Sequence, residues 1–391
     1  MAIHPTVQAL FDWLVDGAPG APTPMAVMER LGPDLAAAGL PVERITAFVR
    51  TLHPSVMGRQ FRWEKGVPKV TAQEASWALL NSPEFLNSPI ATIFNEGRVV
   101  RFKLTPEAVL PETMANLRDA GFTEWAGVPF KFMGGSIHAV AFATRAPGGF
   151  TEEDFATLQH VVRPLSRVAE TLALMRTAVN LLNAYVGNDA GERILKGHIQ
   201  RGDTENIRCV IWFSDLRGFT SMSGERAPSE IIGILNEFFE CQVPAIESEG
   251  GQVLKFIGDG LLAMFPVDEK RTAKHSGDGA LRASQAAFAA LNHLNEVRRK
   301  RGDADLAFGV ALHLGDVAYG NIGGASRLDF TAIGPAVNLA SRIEGMTGKL
   351  GKQVLLSAAL AKELSLPTRS VGSFELKGIT GPAELFEPSA P

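Results

Sequence analysis

The sequence has few cysteines, no excess of basic residues and no long apolar run, and each of these absences excludes a class of protein. Only Cys209 and Cys241 occur, so we expect two buried thiols in a reducing compartment and no disulfide. A formal net charge of −4 argues against a general nucleic-acid binder, which needs a basic surface. No apolar run approaches the roughly 20 residues that cross a bilayer, so no membrane span is expected. Met1–Pro5 lack a basic region before an apolar one, and a cytoplasmic location is therefore expected.

The length of 391 residues favours two domains joined by a connector. We expect a regulatory domain over residues 1–160, a helical linker over 161–206 and a second domain over 207–391. Helical and strand patterns occur in both domains, which predicts the α+β class.

The first domain shows helical spacing from Val7 to Val15, and a second helix is expected from Thr23 to Gly39. Further strands and one helix are predicted at Arg44–His53, Gln60–Trp63, Glu112–Ala120 (the helix) and Ile137–Thr144. Arg50, Arg59 and Arg62 are either ligand contacts or part of a solvated strand face, and the sequence does not separate these readings.

Apolar residues in the linker recur alternately every three and four positions from Leu158 to Leu182. Such a seam needs a partner helix, and the same helix of a second chain would supply one in a parallel homodimer. Pro164 restricts the regular part to Leu165–Leu182. The alternative is a single amphipathic helix packed on its own domain.

Two acidic residues of the second domain each follow an apolar run. The run Cys209–Phe213 predicts a buried strand that ends near Asp215, and apolar residues on both sides of Gly258–Gly260 predict a hairpin with Asp259 at its tip. If the strands are neighbours, the two carboxylates repel each other unless a cation lies between them. Such hard oxygen ligands suit Mg²⁺ or Mn²⁺, with substrate phosphates completing the shell. Lys255 is expected on the strand that carries Asp259, and on the same face of it.

The turn after Asp215 offers backbone N–H groups at Gly218, Phe219 and Thr220 for phosphate oxygens. Beyond this turn the pattern predicts further elements, which together with the strand before Asp215 and the hairpin around Asp259 give the order βαββαβ. They are a helix at Pro228–Glu247, a helix at Thr272–Lys300, a strand at Leu306–Leu314, a glycine-rich loop at Gly315–Gly324, a strand at Leu328–Ala332 and a helix at Pro335–Met346.

Three segments, Phe213–Thr220, Lys255–Gly260 and Thr331–Arg342, together resemble the ordered signatures of the class III nucleotidyl cyclases. The resemblance extends over about residues 190–385 and implies a ferredoxin-like βαββαβ catalytic domain. In the first domain, Gly121–Pro129, Ser136–Thr144 and Gly149–Phe155 resemble the second half of a GAF-type domain, which implies a GAF-like sensor.

The cyclase resemblance implies roles for individual residues of this sequence. Two Mg²⁺ or Mn²⁺ ions per site are expected at Asp215, Asp259 and the adjacent Leu216. Lys255 and Thr331 are expected to read adenine, as donor and acceptor, whereas guanylate cyclases usually carry Glu and Cys at these positions. Catalytic positions are expected at Asn338, for the ribose, and at Arg342, for the α-phosphate. Lys377, Arg327, Gly218, Phe219 and Thr220 are expected to bind the phosphates.

The implied function is an adenylate cyclase that forms 3′,5′-cyclic AMP and pyrophosphate from ATP at a homodimer interface. A small molecule or protein acting on residues 1–160 would regulate it. The alternatives are a guanylate cyclase and a non-catalytic scaffold that responds to nucleotide.

Overall fold

The computed structural model describes residues 4–51 and 56–389, which form two compact units, Met1–Leu181 and Leu182–Pro391. Residues 1–3, which belong to the segment Met1–Pro5 that lacks the pattern of a secretory signal, lie outside the described residues. The same holds for the last two positions of the strand predicted at Arg44–His53.

The first unit is a six-stranded antiparallel sheet with helices on both faces. The strand order is β3-β2-β1-β6-β5-β4. The strands are β1 (Arg44–Arg50), β2 (Val56–Glu64), β3 (Thr71–Ser76), β4 (Val100–Lys103), β5 (Glu124–Lys131) and β6 (Ile137–Thr144). The helices are α1 (Pro5–Val15), α2 (Pro24–Ala37), α3 (Pro83–Leu86), α4 (Pro89–Glu96), α5 (Glu112–Asp119) and α6 (Glu152–Val186), with a 3₁₀ turn at Trp77–Asn81.

Local signals account for the elements that were predicted in this unit. At the start of α2 the Thr23 hydroxyl accepts a hydrogen bond from the Ala26 N–H at 3.2 Å, and Pro24 occupies the first helical position. The predicted elements around α1, α2, β1, β2, α5 and β6 are confirmed within their described residues. The short elements β3, β4, α3 and α4 were not predicted.

Helix α6 carries the apolar seam of the linker. Leu158, Leu165 and Val168 are buried in the core of the first unit, as the alternative of a helix packed on its own domain expects. Further along the seam, Met175 is 64% exposed. The early part of the seam is therefore used within the chain, and pairing with a second chain stays a prediction for the later part.

The second unit is an eight-stranded sheet with the order β13-β14-β12-β10-β7-β9-β8, and β11 pairs with β10. The strands are β7 (Thr204–Leu216), β8 (Gln252–Ile257), β9 (Gly260–Pro266), β10 (Phe308–Gly323), β11 (Leu328–Ile333), β12 (Val354–Ser357), β13 (Thr368–Phe374) and β14 (Ala383–Pro388). The helices are α7 (Asn188–Leu195), α8 (Phe219–Glu225), α9 (Pro228–Glu240), α10 (Val243–Ser248), α11 (Ala273–Lys300), α12 (Pro335–Lys349) and α13 (Ala358–Ala361).

The core of this unit follows the predicted βαββαβ order, with β7, α9, β8, β9, α11 and β10 in sequence. Four of its strands lie side by side as β10-β7-β9-β8, all antiparallel. The first and last strands of the motif are thus central neighbours, which is the ferredoxin-like arrangement.

Two local predictions for this unit are wrong. The segment Gly315–Gly324 is not a loop, because β10 continues to Gly323 and pairs with β7 and β11. Its glycines permit close approach instead: a Cβ at Gly320 would lie 2.1 Å from the carbonyl oxygen of Asp203. The helix predicted at Pro228–Glu247 is two helices, because Pro244 lacks the N–H that would continue the first one.

Both cysteines are buried free thiols, and burial raises the pKa of Cys209 to about 12 and that of Cys241 to about 11. Over residues 4–51 and 56–389, none of the helices has the length and apolar character needed to cross a bilayer.

Candidate active site

Asp215 and Asp259, which are far apart in the sequence, meet at one edge of the second sheet. Asp215 is the last residue but one of β7, and Asp259 lies in the two-residue turn between β8 and β9. The register pairs Asp215 with Gly260, so the next residue back along the hairpin, Asp259, comes close enough for its charge to act on the Asp215 carboxyl. The structure therefore brings these two predicted residues together.

Asp215 has a glycine opposite it on each neighbouring strand. Gly260 on β9 and Gly309 on β10 both pair with it. A Cβ at Gly309 would lie 2.0 Å from the Thr347 hydroxyl and 3.1 Å from Oε1 of Glu344. Because that space is left open, helix α12 packs close to β7, and Glu344 comes near Asp215.

Three carboxyl groups thus share a small and partly dry region. Burial, followed by the nearby Asp259, raises the pKa of Asp215 to about 6, although the Leu216 N–H donates to it and opposes the shift. Burial, followed by Asp215, raises the pKa of Glu344 to about 7, and the Thr347 hydroxyl donates to Glu344 at 3.2 Å. Such shifts indicate unrelieved negative charge, which a bound cation would offset.

The donor set at this edge fits a hard divalent cation. Among the described residues no group of three or more His, Cys, Asp and Glu side chains is arranged to hold a metal ion alone. A cation bound by Asp215 and Asp259 would therefore take further ligands from the backbone, such as the Leu216 carbonyl, and from phosphate oxygens. Mg²⁺ and Mn²⁺ are commonly held in this way, by one or two carboxylates together with substrate phosphates.

The turn after β7 has the conformation that the phosphate prediction requires. Gly218 precedes α8 in the left-handed region, with φ of 74° and ψ of 13°. A side chain would strain this backbone even though no atom lies within 4 Å of the Cβ position. The first turn of α8 leaves N–H groups without intrahelical partners, and Gly218, Phe219 and Thr220 supply them.

The two residues predicted to read the purine lie on neighbouring strands, and an unpredicted acidic residue pairs with one of them. Lys255 on β8 forms an ion pair with Asp329 on β11. Thr331 lies two residues after Asp329, hence on the same face of β11. Thr331 is 5% exposed, and its Oγ1 is buried without a hydrogen-bond partner within the described residues.

The expectation that Lys255 and Asp259 share one face of a single strand is wrong. Strand β8 ends at Ile257 and is irregular between Val253 and Lys255, whereas Asp259 belongs to the turn. Alternation along one strand therefore does not relate Lys255 to Asp259. The contact with Asp329 orients Lys255 instead.

The other predicted site residues are exposed in the single chain. Asn338 and Arg342 lie one helical turn apart on α12, Arg327 precedes β11, and Lys377 lies between β13 and β14. Across residues 4–51 and 56–389, no side-chain hydrogen bond or ion pair joins any of these four to Asp215, Asp259, Lys255 or Thr331. One copy of the chain thus places the acidic pair and the purine pair, and leaves four polar side chains open to solvent.

Sequence reasoning missed Asp329 and Glu344. Asp329 had a signal, because strand alternation places it on the face of Thr331. Glu344 had none, because its place beside Asp215 depends on the packing of α12 against β7 across Gly309.

Comparison with known proteins finds a family model that matches most of the second unit. Residues 202–386 match the model of the adenylate and guanylate cyclase catalytic domain. An adenylate cyclase of Anabaena cylindrica is 38% identical over 174 residues, which cover 44% of this chain and 33% of the relative. Adenylate cyclase 1 of Rhizobium meliloti is 29% identical over 242 residues, which cover 60% of this chain and 36% of the relative. The chain thus spans about a third of the length of these curated relatives.

Among solved structures, the adenylyl cyclase CyaB from P. aeruginosa is similar with a TM-score of 0.44 and 27% identity. The match covers 48% of this chain and 96% of that chain. The family match spans all three of the sequence signatures and both candidate pairs of site residues, and domains of this family bind nucleotides and use divalent metal ions. Residues 202–386 are therefore similar to the adenylate and guanylate cyclase catalytic domains.

Proposed function

We propose that this protein is an adenylate cyclase that converts ATP into 3′,5′-cyclic AMP and pyrophosphate. The observation that carries the proposal is the contact between Asp215 and Asp259 at the ends of neighbouring strands. Cations would offset the negative charge of the two carboxylates, and a nucleoside triphosphate brings both cations and phosphate oxygens to such a site. The two curated relatives described above are adenylate cyclases, which supports the same activity.

Lys255 and Thr331 favour adenine over guanine. Adenine presents a ring-nitrogen acceptor, which suits the Lys255 ammonium, and an exocyclic amine donor, which suits a hydroxyl acceptor. The buried Thr331 Oγ1 has no partner in the described chain and is free to accept from that amine. Guanine presents a ring N–H where adenine has the acceptor, so Lys255 would meet a second donor.

Asp215 and Asp259 would hold two Mg²⁺ or Mn²⁺ ions, with the Leu216 carbonyl as a further ligand. Bound ions of this kind neutralise phosphate charge and lower the pKa of a coordinated hydroxyl. The ribose 3′-oxygen forms a bond to the α-phosphorus, the bond from that phosphorus to the bridging oxygen breaks, and the 3′-hydroxyl proton is lost as pyrophosphate leaves.

The remaining predicted side chains position substrate and stabilise charge. Asn338 orients the ribose, and the Arg342 guanidinium donates hydrogen bonds to the α-phosphoryl oxygens as negative charge builds there. Arg327 and Lys377 contact the outer phosphates, together with the backbone N–H groups of Gly218, Phe219 and Thr220.

The active form is proposed to be a homodimer with two equivalent sites. Asn338 and Arg342 are exposed and form no side-chain hydrogen bond or ion pair with the acidic pair of their own chain, within the part of the chain that the structure describes. A second copy would supply them to the site of its partner. The first unit is proposed as the regulatory, GAF-like domain, because it has its own core and an antiparallel sheet with helices on both faces.

The proposal is tested with the full purified chain, ATP or GTP, and Mg²⁺ or Mn²⁺, by measuring cyclic nucleotide and pyrophosphate. We expect cyclic AMP from ATP and much less product from GTP. Asp215→Asn removes one charge without changing the shape, and we expect activity to fall at least about 1,000-fold because the cations lose a charged ligand. Asp305→Asn is the matched control, since Asp305 forms a surface ion pair with Arg299 at 3.0 Å.

The outcomes separate the alternatives. Equal or greater turnover of GTP would establish a guanylate cyclase, and nucleotide binding without pyrophosphate release would establish a scaffold. Full activity of Asp215→Asn would refute the metal assignment.

A mixing experiment tests the shared site. Asp215→Asn and Arg342→Ala are each expected to be inactive. In an equal mixture half of the dimers are mixed, and each has one intact site of two, so about a quarter of the wild-type rate should return. No recovery, with mixed dimers present in sedimentation, would place both residues in a site made by one chain.

A further inference from the structure

The first unit contains a cavity of about 530 Å³ between its sheet and the helices α3, α4 and α5. Ligand sites for small molecules commonly have volumes of about 300–1,000 Å³. Side chains from β1, β2, β5 and β6 form one wall, and the three helices form the other. Most of the lining is apolar or aromatic, including Phe48, Phe85, Phe94, Trp125 and Leu117.

Four arginine side chains on the sheet line this cavity, and two of them form ion pairs with carboxylates. Arg44 forms an ion pair with Glu64 at 2.8 Å, and Arg59 forms one with Glu74. Arg50 is exposed, with its guanidinium 5.3 Å from the centre of the Phe94 ring. The carboxylates thus leave two arginines unpaired in the described chain: Arg50, which is exposed beside the Phe94 ring, and one that is less exposed.

The less exposed of these two arginines is Arg62. Its Nε is buried and has no hydrogen-bond partner, and no ion pair to Arg62 occurs over residues 4–51 and 56–389. Burial, followed by the charge of Arg44, lowers the pKa of Arg62. A cation without a partner in such surroundings is costly, so the site favours an anion that comes from outside the chain.

The helical wall adds a second polar atom without a partner. Thr113, in the first turn of α5, lines the same cavity, and its Oγ1 is buried without a hydrogen bond in the described chain. The cavity thus offers Arg62 and the more exposed Arg50 as cationic donors on the sheet, the Thr113 hydroxyl and the Glu84 carboxylate on the helical wall, and apolar surface between them.

We propose that this cavity binds a small amphiphilic organic anion. The anionic group, of the size of a carboxylate or sulfonate, accepts hydrogen bonds from Arg62, and the aromatic or apolar body lies against the phenylalanines and Trp125. A polar atom of the ligand meets the Thr113 hydroxyl. A polyphosphate fits poorly, because Arg50 and Arg62, beside the carboxylate of Glu84, do not balance several negative charges.

The test uses two fluorescent probes and the full chain, and it needs no cyclase activity. The anionic probe is 8-anilinonaphthalene-1-sulfonate, and the neutral probe is N-phenyl-1-naphthylamine, which has the same body without the sulfonate. We expect saturable binding of the anionic probe at one site per chain. The neutral probe should bind the same site more weakly.

Arg62→Met keeps the length and apolar stem of the side chain but removes the charge. We expect at least about tenfold weaker binding of the anionic probe, since a charged hydrogen bond is lost, and unchanged binding of the neutral probe. Arg98→Met is the control, because Arg98 is an exposed arginine of the same unit that pairs with Glu96 and is not part of the cavity wall. It should bind both probes as the wild type does.

A second variant tests whether the probes bind inside this cavity. Ala141 is 2% exposed and lies on the sheet wall of the cavity, so Ala141→Leu fills space there and should weaken both probes. Thermal unfolding checks that each variant is folded. Undiminished binding of the anionic probe by folded Arg62→Met, or of both probes by folded Ala141→Leu, would overturn the proposal.

Discussion

Replacing Thr331 by valine should raise stability and lower activity at the same time. Valine has nearly the same shape as threonine and differs by a methyl group in place of the hydroxyl. Thr331 is 5% exposed and its Oγ1 has no partner in the described chain, so the free protein carries a desolvated hydroxyl without compensation. Removing it should stabilise the second unit by about 1 kcal/mol, within the usual range of about 1–3 kcal/mol for such groups.

The expected thermal shift follows from the size of the unit. For a unit the length of Leu182–Pro391, 1 kcal/mol corresponds to an increase of about 2–4 °C in the melting temperature. In the complex with ATP the same change removes the acceptor for the adenine amine, which stays buried and unpaired. A loss of about 1–3 kcal/mol lowers kcat/KM for ATP by about 5- to 150-fold.

The assay compares melting temperature and cyclic AMP formation for the wild type and Thr331→Val. Thr347→Val is the control for the sign of the stability change. Thr347 is also buried, at 1% exposed, but its hydroxyl donates to Glu344 at 3.2 Å. That variant should melt at a lower temperature than the wild type. If Thr331→Val is destabilised as much as Thr347→Val and turns over ATP normally, the hydroxyl has a structural partner and does not read the purine.

Three further predictions concern the second unit. Asp329→Asn weakens the ion pair that orients Lys255, so the preference for ATP over GTP in kcat/KM should fall by about three- to tenfold. The free energy of unfolding measured in urea should change by less than about 1 kcal/mol, because the pair is partly exposed. Unchanged preference would contradict this role. Gly309→Ala places a Cβ 2.0 Å from the Thr347 hydroxyl. We therefore expect the free energy of unfolding measured in urea to fall by about 1–3 kcal/mol, together with lower turnover. Wild-type stability and turnover would show that α12 does not pack against β7 across Gly309. Burial lowers the pKa of His313 to about 4, below its usual 6.5, so the unfolded chain binds this proton first as the pH falls. Stability should therefore be full above pH 6.5 and fall by about 2–3 kcal/mol towards pH 4. In His313→Gln the stability should not fall by this amount between pH 6.5 and pH 4. If the variant and the wild type show the same dependence of unfolding free energy on pH, other groups cause the fall.

Features that depend on neighbours in the sequence were predictable. The strand end before Asp215 follows from an apolar run that stops at polar residues and glycine, and the hairpin around Asp259 follows from two apolar runs separated by Gly258 and Gly260. Because such patterns recur at fixed spacing, the βαββαβ order could be derived from them. The loop predicted at Gly315–Gly324 was wrong, because glycines that permit close strand contact resemble glycines that form turns.

The sequence alone determined which chemical groups this protein carries: two carboxylates at strand ends, a lysine and a threonine that we propose read adenine, and an asparagine and an arginine one helical turn apart. The tertiary structure decided which of these groups meet. It joined Lys255 to Asp329, placed Glu344 beside Asp215, and left Arg62 without a carboxylate partner. The physical reason is that local pattern sets the period of a helix or strand, whereas contacts between distant residues depend on sheet register and helix packing, which are settled only when the whole chain has folded.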